Sequence, residues 1–348
     1  MAASLLNSFF PAYVHDNVKD WTRLAACVVR KQNASSIAPQ VSSGESFKGV
    51  SMPQSEQGPV RFATRGPDGE FEFPFPMDPK QLTVDTRRIV CNVVDGVPLR
   101  KYTSFYAVGV YGGIATAYSV GCNFRCMFCW VDWSRDWPER YGVFYSPKEV
   151  YERLRNVMAE KGFRKTKVSK AKPTLYPDHL CAVLDLVHQE SGAFDLFVIE
   201  TNGVVLALEP DLAPRLAQYA SRKPSDGTVG HVRLSIRGGL PEPFEEKTGC
   251  SREFVDLPFI AAQRLWDAGV SFHVAVVVDP RFTSKNEKDT IYRRLNDIDQ
   301  SIRRNVEEEY LDPYPHALVR LRAVGRTDVT GEMVSDKEKQ ALRGKPRE

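Results

Sequence analysis

The sequence predicts an α/β fold organised on a parallel sheet. Two observations carry this reading. Between about residues 105 and 325, strand-like apolar runs alternate with helical segments, and several of those segments open on clear helix-start signals. The strand-like runs are "YAVGVYGGIATAYSV", "KTKVS", "FDLFVIET", "HVRLSIRG", "VSFHVAVVVD" and "HALVRLRAV". The first helical segment, "SPKEVYERLRNVMAEKG", has Ser146 placed to cap, Pro147 in the first turn and Glu149 three residues after the cap. In "YPDHLCAVLDLVHQES" the apolar positions 180, 183, 184 and 187 share one helix face. "EPDLAPRLAQYAS", "FVDLPFIAAQRLWDAG" and the long charged "NEKDTIYRRLNDIDQSIRRNVEEEY" complete the helical set. Six strands joined by crossover helices fit an open doubly wound sheet or an incomplete barrel of the TIM kind. Either places its chemistry on loops at the carboxyl ends of the strands.

Ahead of this region the pattern is irregular. Residues 1–30 contain a short helical segment, "NVKDWTRLAACVVRK". Residues 31–60 are rich in Ser, Gln, Pro and Gly without periodicity, which predicts a linker or mobile segment. Residues 61–105 alternate β-rich pieces with turns and predict extended structure, with a hairpin before the main domain. The expected organisation is therefore an N-terminal extension at 1–104, a core at 105–325 and a charged tail at 326–348.

At 348 residues, with 42% apolar and 26% charged positions, the composition is that of a globular protein. A net charge of +3 neither requires nor excludes a polyanionic partner. No apolar run approaches the roughly 18 to 20 residues that span a bilayer. The apolar N-terminal patch lacks a preceding basic segment, so it does not read as a signal peptide. These features predict a cytoplasmic protein without a membrane partner.

The seven cysteines are uneven in a way that points to chemistry. Cys27, Cys91, Cys181 and Cys250 stand singly, whereas Cys122, Cys126 and Cys129 fall within "YSVGCNFRCMFCWVDWSRDW". A disulfide framework calls for a distributed, even set. Structural zinc calls for four ligands, usually as two pairs, and neither a second Cys-x-x-Cys nor a nearby histidine is present. A redox pair at Cys126 and Cys129 would leave Cys122 without a role. Cys-x3-Cys-x2-Cys suits one cubane cluster with three protein ligands, which leaves one iron open to a small chelating molecule.

At these residues the chain resembles the radical S-adenosylmethionine (SAM) superfamily. "GCNFRCMFC" carries the family spacing, with Phe128 just before the third cysteine, after the first strand of the series. The Cys-Trp junction and the aromatic tail look most like the branch of pyruvate formate-lyase activating enzymes and tRNA wybutosine-forming enzymes. The resemblance covers residues 105–325 and implies a partial (β/α)6 TIM-like barrel with an irregular N-terminal extension. It implies a [4Fe–4S] cluster on Cys122, Cys126 and Cys129, SAM on the fourth iron, and an external electron donor such as ferredoxin or flavodoxin. One electron would cleave SAM to methionine and a 5′-deoxyadenosyl radical that abstracts hydrogen from the substrate. It also implies SAM contacts from Glu200, Thr201 and Asn202 in "VIETNG", from Ser235 and Arg237 in "VRLSIRGG", from the strand "FHVAVVVDP" and from Phe128 against adenine. Plainer readings exist for these: Asn202-Gly203 is a common turn, and Ser235 and Arg237 suit an ordinary polar strand end.

One segment departs from the family pattern. Lys170, Ala171 and Lys172 stand where Gly-Gly-Glu is usual, while Pro173, Thr174 and Leu175 match. The SAM ammonium thereby loses a carboxylate partner, which leaves backbone carbonyls and Thr174 to hold it. The two lysines also suit an anionic substrate, or simply a solvated face. Two other functions are carried: an iron–sulfur protein with weak or no SAM cleavage, and an RNA-modifying protein whose Trp130, Trp133 and Trp137 stack on bases. A nucleic-acid partner stays open, and tryptophans that only pack the loop are the plainer reading.

Overall fold

Strands joined through crossover helices can lie side by side only in parallel, with the helices covering a face of the sheet. The computed structural model of the chain has this arrangement. It describes residues 64–65, 71–72, 76–312, 314–326 and 328, all within one compact unit, Phe62–Met333. The helix expected in 1–30, the segment 31–60 and the tail from 329 onward lie outside the described residues.

Six parallel strands form the centre in chain order: β5 (Ile114–Ser119), β7 (Lys165–Lys170), β8 (Leu196–Thr201), β9 (Gly230–Ile236), β10 (Phe272–Val277) and β11 (Glu307–Glu309). At the β5 edge the sheet continues antiparallel through β4 (Val97–Val108) and β3 (Cys91–Val94), and β6 (Val143–Tyr145) also pairs with β4. The outermost strands β3 and β11 do not pair, so this is a mixed, mostly parallel α/β sheet that stays open. A two-residue ladder, β1 (Thr64–Arg65) with β2 (Phe71–Glu72), lies apart from it. Helices α1 (Pro79–Val90), α2 (Pro147–Lys161), α3 (Pro177–Gln189), α4 (Val204–Leu208), α5 (Leu212–Ala217), α6 (Pro241–Thr248), α7 (Leu257–Asp267), α8 (Lys285–Ile298), α9 (Gln300–Arg304) and α10 (Pro315–Ala323) complete the described elements. None of them is long and apolar enough to cross a membrane.

The two faces of the sheet differ because strand side chains alternate. In β9, Val232, Leu234 and Ile236 enter the apolar core, together with Leu154 of α2, Val183 of α3, Leu216 of α5, Leu265 of α7 and Leu295 of α8. His231, Arg233 and Ser235 alternate with them onto the opposite face and are also buried. That face carries most of the sheet's buried charges, with Val198 and Ala275 among them. Lys167 and Ser169 meet Glu200, and Arg233 pairs with Glu307 and Glu309. The capping box foreseen at Ser146 is present in both directions.

Four segments differ from the sequence expectation. The run 106–120 is not one strand: it holds the end of β4, a tight turn and then β5. Tyr111, Gly112 and Gly113 have φ of 55°, 73° and 103°, and a Cβ on Gly113 would lie 2.4 Å from the Phe163 ring, so only glycine fits there. Within 61–105 the hairpin β3–β4 is found, but residues 79–90 are helical, capped by Asp78 with Pro79 in the first turn. Residues 316–324, taken as the sixth strand, lie almost wholly in α10; Pro315 starts the helix, and buried Ala317 and Leu321 share its inner face. The sixth strand is instead Glu307–Glu309, at the end of the run taken as a charged helix. Three glutamates have poor strand propensity. Arg233 and Arg237 neutralise Glu309, Arg233 neutralises Glu307, and His273 hydrogen-bonds to Glu307, which together override that propensity.

His179 of α3 ties that helix to β4. Its Nδ1 lies 2.8 Å from the Pro98 carbonyl and its Nε2 lies 3.1 Å from the Tyr102 hydroxyl. A carbonyl only accepts, so Nδ1 carries the proton and the neutral ring accepts from Tyr102. Burial pushes its pKa down from 6.5 to about 4. Protonation therefore favours the unfolded chain. Stability from this site is whole above pH 6.5 and is lost as pH falls toward 4, by about 3 kcal/mol. Urea unfolding across that window should show a steeper loss for the parent than for His179→Gln; equal slopes would disprove the neutral ring.

Candidate functional site

The cysteines lie on the connection between β5 and β6, at the carboxyl end of the first parallel strand. Gly121 turns the chain there with φ +84°, and a Cβ on it would sit 2.6 Å from Thr86 Cγ2 of α1. Cys122 is buried, Cys126 and Cys129 are half-buried, and all three are free thiols. Backbone bonds hold the loop along the end of α6: Arg125 N–H donates to Thr248 O (2.8 Å) and Met127 N–H to Lys247 O (3.1 Å). A side-chain chain crosses it, with Asn202 donating to Asn123 (2.8 Å) and Asn123 donating to Thr83 (2.9 Å).

An irregular buried segment exposes carbonyls that no ladder satisfies. Here arginines take them. Arg100 of β4 donates to Val120 O, and Arg125 donates to the carbonyls of Cys122 (2.6 Å) and Phe124 (2.9 Å). Arg135 donates to Cys126 O (2.7 Å). Arg320 of α10 donates to the carbonyls of Cys129, Val131 and Asp132. All four guanidinium groups are buried. Asp136, wholly buried, accepts from Arg135 and, on its other oxygen, from Arg320 (2.5 Å). Trp133 packs under Arg320 and against Trp137 and His316, so two of the three tryptophans pack the loop. The sequence reading missed this shell. Arg125, Arg135 and Asp136 were visible as charges inside an aromatic stretch, whereas Arg320 lies far along the chain.

The shell sets the character of the thiols. Burial raises Cys129, but Arg135 and Arg320 outweigh it and lower its pKa. Burial and the neighbouring Cys129 and Cys122 sulfurs push Cys126 up to about 12, with Arg237 and Arg135 pulling it back. The three sulfurs thus sense one another. Among the described residues no three Cys, His, Asp or Glu side chains converge on a point that a single metal ion could fill. A cluster in which each thiolate binds its own iron does not require such convergence, so the donor set fits a polynuclear centre with a cationic surround. Cys250, which the sequence left isolated, lies beside this group: its thiol donates to Asn123 O (3.7 Å), and Cys126 and Cys122 add to the burial that raises its pKa.

The structure places the other residues singled out from sequence as follows. Phe128 is buried and packs edge-on against Phe282, near Val277 at the end of β10. Thr174 and Thr201 share a hydrogen bond of 2.8 Å and are both buried. Glu200 is bonded to Lys167 (2.8 Å) and Ser169; burial alone would raise its pKa, but Lys167 and Arg233 outweigh it and hold the carboxyl at about 2. Asn202 braces the cysteine loop through Asn123. Ser235 lies 3.5 Å from the Arg233 guanidinium, and Arg237 donates to Glu309. Lys170 ends β7 with its ammonium over the Trp130 ring, and burial and Lys167 push its pKa down to about 8. The polar face continues away from this site as a hydrogen-bonded series: Glu307, His273, His231 and Ser271, linked by 2.9, 2.7 and 2.8 Å.

A family model described as the Radical SAM superfamily matches residues 116–291. No curated protein matches the chain by sequence. Similar solved structures include Streptococcus suis SuiB bound to precursor peptide SuiA, at 16% identity and TM-score 0.41, covering 63% of this chain and 45% of that one. The chain therefore spans less than half the length of SuiB. A radical SAM methyltransferase from Sphaerobacter thermophilus is 13% identical with TM-score 0.43, covering 83% and 75%. TYW1 with a lysine-pyruvate adduct bound is 13% identical with TM-score 0.38, covering 63% and 74%.

Among the described residues Asp136 is the one carboxylate bonded to both Arg135 and Arg320. Asp136→Asn leaves two buried cations without their counter-charge and should destabilise the protein by about 3–5 kcal/mol. Chemical denaturation measures this. A loss below about 1 kcal/mol would mean that the carboxylate does not hold the shell together.

Proposed function

Because the chain belongs to the radical SAM superfamily, we propose that it is an enzyme that binds a [4Fe–4S] cluster on Cys122, Cys126 and Cys129 and cleaves SAM reductively at the iron those thiolates leave open. The observation that carries this reading is the set of three free thiols on one loop inside a shell of buried arginines. The cluster, when bound, supplies the single electron for SAM cleavage, refilled by a donor such as ferredoxin or flavodoxin. The chain's own part is positioning. Arg135 and Arg320 favour the Cys129 thiolate and fix the carbonyls on either side of the loop's second half. Asn202 and Thr83 fix its first half through Asn123, and Phe124, Met127 and Phe128 keep water from it.

For SAM, Ser235 and Arg237 at the end of β9 are the candidate contacts to ribose and carboxylate, with Arg237 shared with Glu309. Thr174, Thr201 and Asn202 are engaged with protein partners, so their contribution is to shape the site while backbone groups take the methionine amino group. Glu200 is neutralised by Lys167 and acts as part of the polar floor.

A second reading has one specific observation behind it. Cys250 beside Cys122 and Cys126 would make a fourth thiolate ligand, giving a closed cluster that carries electrons and does not bind SAM. Anaerobic reconstitution separates the two. In the SAM-cleaving reading, Cys126→Ala loses bound iron and the brown absorption, Cys250→Ala keeps both, and the reduced parent yields 5′-deoxyadenosine from SAM. Loss of iron in Cys250→Ala, with no 5′-deoxyadenosine from the parent, establishes the closed cluster instead.

A further inference from the structure

The lysine that replaces the usual glycine at the end of β7 is held in an unusual way. Its ammonium nitrogen lies 3.3 Å from the centroid of the Trp130 ring, 4.9 Å from that of Tyr118 and 5.7 Å from that of Tyr106. Three aromatic faces around one cation form the kind of box that recognises ammonium groups. No carboxylate among the described residues forms an ion pair with Lys170; Asp132 and Glu200 attract it from farther off. The box is itself braced, since Asp132 N–H donates to the Tyr118 hydroxyl (3.2 Å).

Two further facts give the box a direction. Lys170 has φ +76°, a left-handed conformation that a residue with a Cβ adopts only when its surroundings impose it. Trp130 follows Cys129 directly, is 42% exposed and also tilts against Tyr314 (ring centroids 5.9 Å). The contact therefore joins the third cysteine's end of the loop to the sheet, at a point where no backbone ladder does so. Because Trp130 follows Cys129, the contact also places an ammonium on the segment that carries the third cysteine.

We propose that Lys170 is a positioning residue of the cysteine site: its boxed ammonium clasps the Cys129-Trp130 segment onto β7 and holds a positive charge on the segment of the third cysteine. The second half of this statement rests on the cluster reading above. A nearby cation stabilises a cluster more in its reduced, more negative state, so Lys170 raises the reduction potential. The lysine thus does electrostatic work toward the cluster in place of the glycine that the family pattern has there.

The clasp is tested on the cluster-free protein by amide hydrogen exchange of residues 126–132. Protection should fall in Lys170→Met and Trp130→Ala and hold in Lys170→Arg. Lys170→Gly removes the ammonium while relieving the left-handed strain, so it folds at least as well as the parent and should show the same loss of protection. The charge is tested on reconstituted protein by redox titration followed by electron paramagnetic resonance. The midpoint potential should move negative in Lys170→Met and Lys170→Gly and stay near the parent's in Lys170→Arg. Unchanged exchange in Lys170→Met and Lys170→Gly overturns the clasp, and an unchanged potential in a cluster-loaded Lys170→Met overturns the electrostatic role. A parent protein that never takes up a cluster overturns the cluster reading and the electrostatic role together, while the exchange experiment still decides the clasp.

Discussion

The cysteine loop has no ladder of its own, and everything about the site depends on how its buried carbonyls are satisfied. Arg100, Arg125, Arg135 and Arg320 supply the donors, and Asp136 holds two of them in place. Burying guanidinium groups is unfavourable unless nearly every donor finds an acceptor. A loop of free carbonyls offers acceptors without adding negative charge, and of the described donors only a few, Arg100 Nε and Arg320 Nε among them, stay without one. The result is a segment held by side-chain donors and surrounded by positive charge, and that surplus suits thiolates and an anionic cluster.

The second organising fact is the asymmetry of the sheet. Its helix-covered face is apolar and carries the stability of the fold. The opposite face is a network of paired charges running from Lys167 and Glu200 across Arg233 to Glu307 and Glu309. The hydrogen-bonded order Glu307, His273, His231, Ser271 also fixes ring protonation. An ionised Glu307 accepts from His273 Nε2, His273 Nδ1 then accepts from His231, and His231 Nδ1 accepts from the Ser271 hydroxyl. Such a face fills the interior with groups that cannot rearrange independently, since each has its partner's charge or proton to satisfy.

Much of this was legible in the sequence because it rests on local signals. The alternation of strands and helices, the Ser146 cap and the spacing of Cys122, Cys126 and Cys129 are each decided within a short window. What escaped was decided by distant residues. Glu307–Glu309 is a strand because Arg233 and Arg237 neutralise it and His273 hydrogen-bonds to it, and the run around Leu321 is a helix that buries Ala317 and Leu321 together. The Arg237 side chain, read as a contact to a carboxylate, does meet one, but it is Glu309 of the chain itself. Lys170 was visible as a departure at the end of β7; the rings that enclose it come from β4, β5 and the cysteine loop, and only folding brings them together.

Arg320 reaches back 191 residues to the Cys129 carbonyl. On a ribosome this separation becomes a delay. At about 5–20 residues per second, the three cysteines emerge roughly ten seconds or more before the arginine that completes their enclosure. During that interval the incomplete sheet presents open thiols whose loop carbonyls still lack the Arg320 donors. Completion of the site therefore waits on α10, the last of the described helices, which closes over a loop made much earlier.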